Sequence, residues 1–202
     1  MEKTNQESQI ILNIAAGKIF PEELPEDFFL VNLDKMYYTT ASPELLESEY
    51  HSWLKGGKKG RRVCYINQDC FDFLSRSIIQ FDRIVIYRFL EHVKRTDVLY
   101  FIYLLSSAIV PGGKVEVIVP DYKLLAERIL QEDVNSKDFD KEDIITTTEL
   151  VNEPDSPHSS IWTVDRVKYF FEYEGRFKIV QLVTPYLFDS RDIYLKFVVE
   201  RT

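Results

Sequence analysis

Residues 10–17 read Ile-Ile-Leu-Asn-Ile-Ala-Ala-Gly, and residues 28–34 read Phe-Phe-Leu-Val-Asn-Leu-Asp. Each is an apolar run of strand length. The first ends in residues small enough to let a ligand approach the backbone, and the second ends in a carboxylate. In an open α/β sheet, ligands sit beyond the carboxyl ends of the strands. A small-residue turn follows the first strand, and an acidic residue after the second accepts hydrogen bonds from ribose hydroxyls. The pair therefore predicts an α/β fold with a nucleoside site, in which Asp34 reads as the ribose ligand, the alternative being an ordinary turn former at a strand end.

Working outward, further strand-type runs occur at Val63 to Ile66, Arg83 to Tyr87 and Lys114 to Val119. Helical patterns lie between most of them, which predicts a parallel sheet with helices packed on its faces. Ser42-Pro43 is an N-cap followed by proline at the first helical position. Leu45, Leu46, Tyr50, Trp53 and Leu54 follow at helical spacing, and Gly56 closes the helix. A second helix is expected from Thr96 to Val110, stopped by Pro111-Gly112-Gly113, and a third from Asp121 to Gln131. Thr163 caps a last helix through Val167, Phe170 and Phe171. Two closing strands, Phe177 to Leu182 and Tyr194 to Glu200, suggest an antiparallel hairpin.

Two segments break the alternation. Pro21 and Pro25 interrupt the short stretch between Gly17 and Phe28, so the first crossover cannot hold a full helix. Residues 132–160 are polar and rich in Asp, Thr, Ser and Pro, which marks a long loop or lid.

The 202 residues fit a single domain. The chain is 45% hydrophobic and 29% charged, as in a soluble globular protein, and no apolar run approaches the roughly 20 residues of a membrane span. The polar N-terminus does not read as a secretory signal, so cytoplasmic residence is the expectation. A net charge of −8 weighs against nucleic acid as a partner. One exception is Lys55 to Arg62, where five cations flank three glycines; it reads as a solvated loop or as a contact for an anionic ligand. Cys64 and Cys70 have no paired motif around them and read as reduced thiols rather than a disulfide or a metal site.

Taken together, these stretches resemble the class I S-adenosylmethionine-dependent methyltransferases, in the compact branch that acts on small molecules or glycans. Leu12-Asn13-Ile14-Ala15-Ala16-Gly17 is similar to the family's first motif, the turn beneath the methionine portion of the cofactor. Asn67-Gln68-Asp69-Cys70 is similar to the adenine-contacting turn after the third strand. Phe81 to Val93, with its Leu90-Glu91-His92 run, resembles the fourth-strand motif. Val110-Pro111-Gly112-Gly113 through Asp121 resembles the fifth strand and its turn, and His158 to Thr163 the segment before the last helix.

The resemblance implies a Rossmann-like, seven-stranded, mostly parallel sheet with a C-terminal antiparallel hairpin. It implies S-adenosylmethionine as cofactor, held by Asn13, Ala15, Ala16, Gly17, Asp34, Asp69, Cys70, Tyr87 and Arg88, with a small-molecule or sugar acceptor. Asp69 reads equally as the cap of the helix carrying Phe71, Phe73 and Leu74. Glu91 and His92 read as a structural pair anchoring a helix start rather than as acid and base. His158, an imidazole on the lid-like segment, is the candidate base for a hydroxyl acceptor, with Asp121 as its partner; the alternative for His158 is an ordinary loop residue.

The chain departs from the family pattern at Ala15, where glycine is preferred, and at Tyr87-Arg88, which are bulky at the mouth of the site. A methyltransferase-like binding protein without turnover is therefore the rival reading. A nicotinamide enzyme is disfavoured, because the first turn lacks the Gly-x-Gly-x-x-Gly spacing and the first crossover lacks the helix that would hold a pyrophosphate.

Overall fold

The computed structural model describes residues 8–15, 20–35, 43–130, 159–188 and 191–202. Within them the chain forms β1 (Gln9–Ile14), β2 (Phe28–Leu33), α1 (Pro43–Lys55), β3 (Arg61–Ile66), α2 (Cys70–Arg76), β4 (Phe81–Tyr87) and a 3-10 turn (Leu90–His92). Then come α3 (Val98–Ala108), β5 (Ile109–Pro120), α4 (Tyr122–Leu130), α5 (Val164–Phe171), a second 3-10 turn (Tyr173–Gly175), β6 (Phe177–Phe188) and β7 (Arg191–Arg201). No helix among the described residues is long and apolar enough to cross a membrane.

The sheet has seven strands in the order β3-β2-β1-β4-β5-β7-β6. Strands β1 to β5 are parallel, and β7 runs antiparallel between β5 and β6, which is the expected closing hairpin. Because side chains alternate along a strand, register decides which residues share a face. Leu12 lies beside Val31 and Ile84, so Ile10, Leu12 and Ile14 share one face with Phe29, Val31, Leu33, Ile84 and Ile86. Ile11 lies beside Leu30 and faces the other way with Phe28 and Val85. Both faces are buried, which is why the central strands read as nearly continuous apolar runs.

The larger core lies on the first face. Leu46 and Trp53 of α1, Phe73 and Leu74 of α2, Phe101 and Leu105 of α3, and Val167 and Phe171 of α5 all pack into it. The rings of Trp53 and Phe29 lie 5.7 Å apart, and those of Phe171 and Phe197 5.1 Å. Helices were expected on both faces; these four share one. The second face carries a smaller cluster flanked by Leu24, Tyr186 and Phe188. The connection from β1 to β2 explains the difference: its described part, residues 20–27, is irregular, and the prolines there remove the helix that a full crossover would lay on that face.

The second face also holds a charged cluster. Glu116 of β5 accepts hydrogen bonds from the Tyr87 hydroxyl (2.7 Å) and Arg83, and pairs with Lys196 Nζ at 2.8 Å. Lys196 also reaches Glu22 at 3.0 Å. Burial alone would raise the Glu116 carboxyl, but the bonds from Lys196, Tyr87 and Arg83 outweigh it and hold the group below its ordinary value.

Strand β5 starts earlier than its sequence suggests. Pro111-Gly112-Gly113 does not precede the strand but forms an irregularity within it, where the register against β4 shifts between Phe81 and Arg83. Gly113 is required there, since a β-carbon would sit 2.7 Å from Ile109 Cγ1 and 2.9 Å from the Val110 carbonyl oxygen.

Candidate functional site

Strand order turns back between β1 and β4, since β2 and β3 lie on one side of this pair and β5 on the other. Loops leaving the carboxyl ends of β1 and β4 diverge, and a crevice opens at that switch point. A cleft of about 600 Å³ lies there, a volume suited to a small-molecule ligand. Ile14 and Ala15 line it from β1, Leu33, Asp34 and Lys35 from β2, and Gln68 to Phe71 from the turn after β3. Arg88, Phe89, His92, Val93, Lys94 and Asp97 complete it from the chain after β4.

The backbone around the cleft is specialised. Ala15 and Arg88, the first residues after β1 and β4, both have positive φ, 52° and 54°. The Arg88 amide donates to the Ile118 carbonyl at 2.8 Å, which pins that bend to β5. Asp34 follows β2 with its amide bonded to the Ile66 carbonyl at 3.0 Å, and its residue surface is only 8% exposed. The β2–β3 ladder thus fixes this carboxylate at the cleft wall.

Asp69 has the dual position its sequence context suggests. It lines the cleft, and its Oδ1 caps α2 by accepting from the amides of Phe71 (2.9 Å) and Asp72 (3.4 Å). Cys70 also lines the cleft, but burial pushes its thiol up to about 12, so it stays protonated near neutral pH and is a packing group rather than a nucleophile.

Two predicted ligands lie elsewhere. Asn13 is buried on the second face and donates from Nδ2 to Asn32 Oδ1 at 3.0 Å. Tyr87 is buried on the same face, its hydroxyl bonded to Glu116. Strand alternation is the reason: Ile14 and Ile86 share the first face, so the residues beside them in sequence turn away. Asp121 is not part of the cleft lining. Its Oδ1 accepts from the amides of Lys123 (3.1 Å) and Leu124 (3.3 Å), and its Oδ2 from Thr184 Oγ1 at 2.6 Å. Ala16, Gly17 and His158 lie outside the described residues.

Glu91 is 1% exposed, and burial pushes its carboxyl up to about 7, against the lowering effects of its own backbone amide and of Arg88. Its carbonyl accepts from the amides of Ser159 (2.8 Å) and Ser160 (3.0 Å), while the Leu90 carbonyl accepts from Ser160 Oγ and Trp162 Nε1. Through the Leu90 and Glu91 main-chain carbonyls, the Leu90–His92 turn anchors the chain leading into α5. His92 differs in also lining the cleft. Phe71, Phe89, Lys35 and Lys94 are cleft residues that motif matching missed, although each lies close beyond the end of an apolar run.

No protein-family model matches the sequence, and no curated protein matches it. Similar folds occur among solved structures. The DhpI-SAM-HEP complex superposes with a TM-score of 0.55 at 17% identity, covering 99% of this chain and 81% of that one. The O-methyltransferase family 2 protein from Planctomyces limnophilus, in complex with apigenin, gives 0.57 at 12%, covering 100% and 52%. The pyocyanin biosynthetic protein PhzM gives 0.53 at 15%, covering 96% of this chain, which spans only 50% of PhzM. At such identities the likeness is one of fold: the chain has the class I methyltransferase fold.

Proposed function

We propose that the chain binds S-adenosylmethionine and transfers its methyl group to an oxygen or nitrogen of a small molecule or sugar. The observation that carries this reading is the buried Asp34 carboxylate beside Ala15, in a cleft at the β1/β4 switch point. A carboxylate there is suited to accept hydrogen bonds from both ribose hydroxyls. Ile14, Leu33, Phe71 and Val93 offer apolar surface for a base, and Asp69 with Cys70 stands at the same wall. Ala15, with Ala16 and Gly17 next in the chain, would underlie the methionine portion.

When bound, the cofactor supplies a methyl group activated on a sulfonium. The protein's part is then to position the acceptor and exclude water, with a base needed only for an acceptor that arrives protonated. His158 is proposed as that base and Asp121 as the group that orients it.

Two conformational observations favour the rival, a binding protein without turnover. Ala15 and Arg88 place β-carbons on left-handed backbone at the mouth of the cleft, where the motif they resemble prefers smaller residues. Calorimetry with S-adenosylmethionine and its demethylated product separates the possibilities. Binding accompanied by a rise in melting temperature is expected, because a ligand that binds only the native state stabilises it. Absence of both heat and melting shift at millimolar ligand would defeat the cofactor reading for the folded protein.

A further inference from the structure

We propose that the outward face of α3, with the tyrosines of α5 and of the turn after it, is the surface by which two copies of this chain pair across a twofold axis, their α3 helices antiparallel.

Helix α3 reads Val-Leu-Tyr-Phe-Ile-Tyr-Leu-Leu-Ser-Ser-Ala and carries no charged residue on any side. A surface helix keeps a polar face toward water, as α1 does with Glu47, Ser48 and His51, whereas a helix that is apolar all round is buried. Val98, Phe101, Ile102, Leu104 and Leu105 enter the core, but Leu99, Tyr100 and Tyr103 are 43%, 52% and 47% exposed. Tyr169 and Tyr173 are exposed beside them, and a groove of about 270 Å³ runs between Tyr100 and Tyr103 on one side and Phe170 and Tyr173 on the other. The Tyr100 and Tyr103 rings stack at 6.4 Å and those of Tyr169 and Tyr173 lie 6.1 Å apart, so the side chains already hold one another in place. Tyrosine is enriched at interfaces because it covers much area at little cost in side-chain entropy. These four expose roughly 400 Å² together, a large share of the about 800 Å² that each partner gives to a standard interface.

A twofold contact requires a surface complementary to itself, and this one is so in shape and in charge. The ridge of α3 formed by every fourth residue runs Leu99, Tyr103, Ser107, large at its start and small at its end. Antiparallel pairing about Tyr103 sets Leu99 of each copy against Ser107 of the other, bulk into space. The charges flank the same strip. Helices α3 and α5 run in one direction: Trp162, ahead of α5, bonds the Leu90 carbonyl beyond the end of β4, while Phe177, after it, pairs with Arg201 at the amino end of β5, where α3 also ends. Lys94 and Arg95 therefore lie at the start of the strip, and Glu172, next to Tyr173, at its end. All three are exposed, and none is in an ion pair among the described residues. Antiparallel pairing brings the cations of each copy to Glu172 of the other, twice per dimer. The net charge of −8 makes two copies repel in general, so these local matches decide how they meet.

The test is sedimentation velocity on the full chain over about 1–100 μM, where a concentration-dependent shift from one chain to two, with nothing larger, is expected. Tyr103→Glu places a charge on the axis and should leave a single chain throughout; circular dichroism verifies its fold, and the charge variants carry the test should it unfold. Arg95→Glu and Glu172→Arg should each weaken self-pairing by about tenfold, because each turns two attractions per dimer into repulsions. An equimolar mixture of these two variants should pair as the parent does, since each then meets its opposite charge. The proposal is overturned if the parent stays a single chain across this range, which would mean that the strip is covered within the chain or by another protein. It is equally overturned if assembly proceeds beyond two copies, if folded Tyr103→Glu pairs undiminished, or if the two charge variants pair with themselves as well as with each other.

Discussion

Ala15 and Arg88 bend the chain alike: each is the first residue after one of two neighbouring parallel strands, and their φ angles are 52° and 54°. Two non-glycine residues in the left-handed region on the wall of one cleft are a store of local strain of the kind that collects at functional sites. For an L-residue the conformation costs about 1–2 kcal/mol, whereas glycine adopts it freely at a backbone-entropy cost of about 0.5–1 kcal/mol. Ala15→Gly is therefore expected to raise stability by up to about 1 kcal/mol, a rise of a few degrees in melting temperature for a domain of this size. Cofactor affinity should be unchanged or improved. A lower melting temperature together with weaker binding would show that the β-carbon of Ala15 is needed.

Asp34→Ala should weaken cofactor binding by about 1.5–3 kcal/mol, the range for hydrogen bonds made to a charged group. Asp34 follows a strand whose backbone ladder does not depend on its side chain, so the fold should survive. Calorimetry on the variant decides: parental affinity in a folded Asp34→Ala protein removes Asp34 from the site.

The reach of the sequence can be judged from these same residues. Strands β1 and β2 are legible because both faces of the sheet are buried, which writes each as an apolar run ending where the cleft begins. Which residue of a run faces the cleft is a question of register, and motif similarity ignores it. Asn13 and Tyr87 belong to motifs that reach the cleft, yet within their strands they adjoin Ile14 and Ile86, which face the first core, and so they turn to the other face. The early start of β5 was hidden because Pro111-Gly112-Gly113 has the composition of a turn, and only the pairing with β4 shows it to be an irregularity within a strand. The crowding of four helices on one face was half legible: two prolines show that the first crossover helix is missing, but not where α1 packs.

Glu91 makes stability depend on pH. Its carboxyl is raised from 4.5 to about 7, so the folded state binds the proton more tightly than the unfolded chain does. The stability contributed by this group is fully present below 4.5 and is lost as pH rises through about 7. The full change is about 3 kcal/mol, and the group is buried enough that solvent does not screen it. Glu91→Gln, which cannot ionise, should flatten the dependence of melting temperature on pH across this window. An unaltered slope in the variant would mean that Glu91 ionises normally in the folded protein.

Glu116 behaves in the opposite sense. Its carboxyl is held below 4.5 by Lys196, Tyr87 and Arg83, so its contribution is present above that value and is lost as pH falls through the lowered one. Glu116→Gln leaves Arg83 and Lys196 without their shared anion on a face where their side chains are 16% and 12% exposed. Breaking a buried pair in this way costs about 3 kcal/mol or more. Chemical denaturation at neutral pH should show that loss, and the variant should lose less further stability on acidification than the parent. Equal stability of the two proteins at neutral pH would show that the desolvation of these charges cancels their attraction.

The proposed base and its partner can be separated by their dependence on charge. His158→Ala should lower turnover by about 100-fold while leaving cofactor affinity intact, the pattern of a lost general base. Asp121 already has work in the fold: Oδ1 accepts from two amides at the start of α4, and Oδ2 from Thr184 at 2.6 Å. Asp121→Asn keeps an oxygen for the amides, since asparagine caps a helix about as well as aspartate, removes the negative charge, and turns the Oδ2 acceptor into a donor from which the Thr184 hydroxyl can accept instead. Stability should change little, and turnover should fall by about tenfold if that charge holds the His158 imidazolium in place. A pH–rate profile of the two variants checks this: the limb due to the base should vanish in His158→Ala and shift to lower pH in Asp121→Asn. Parental turnover in His158→Ala would reduce His158 to an ordinary loop residue and leave methyl transfer to positioning alone.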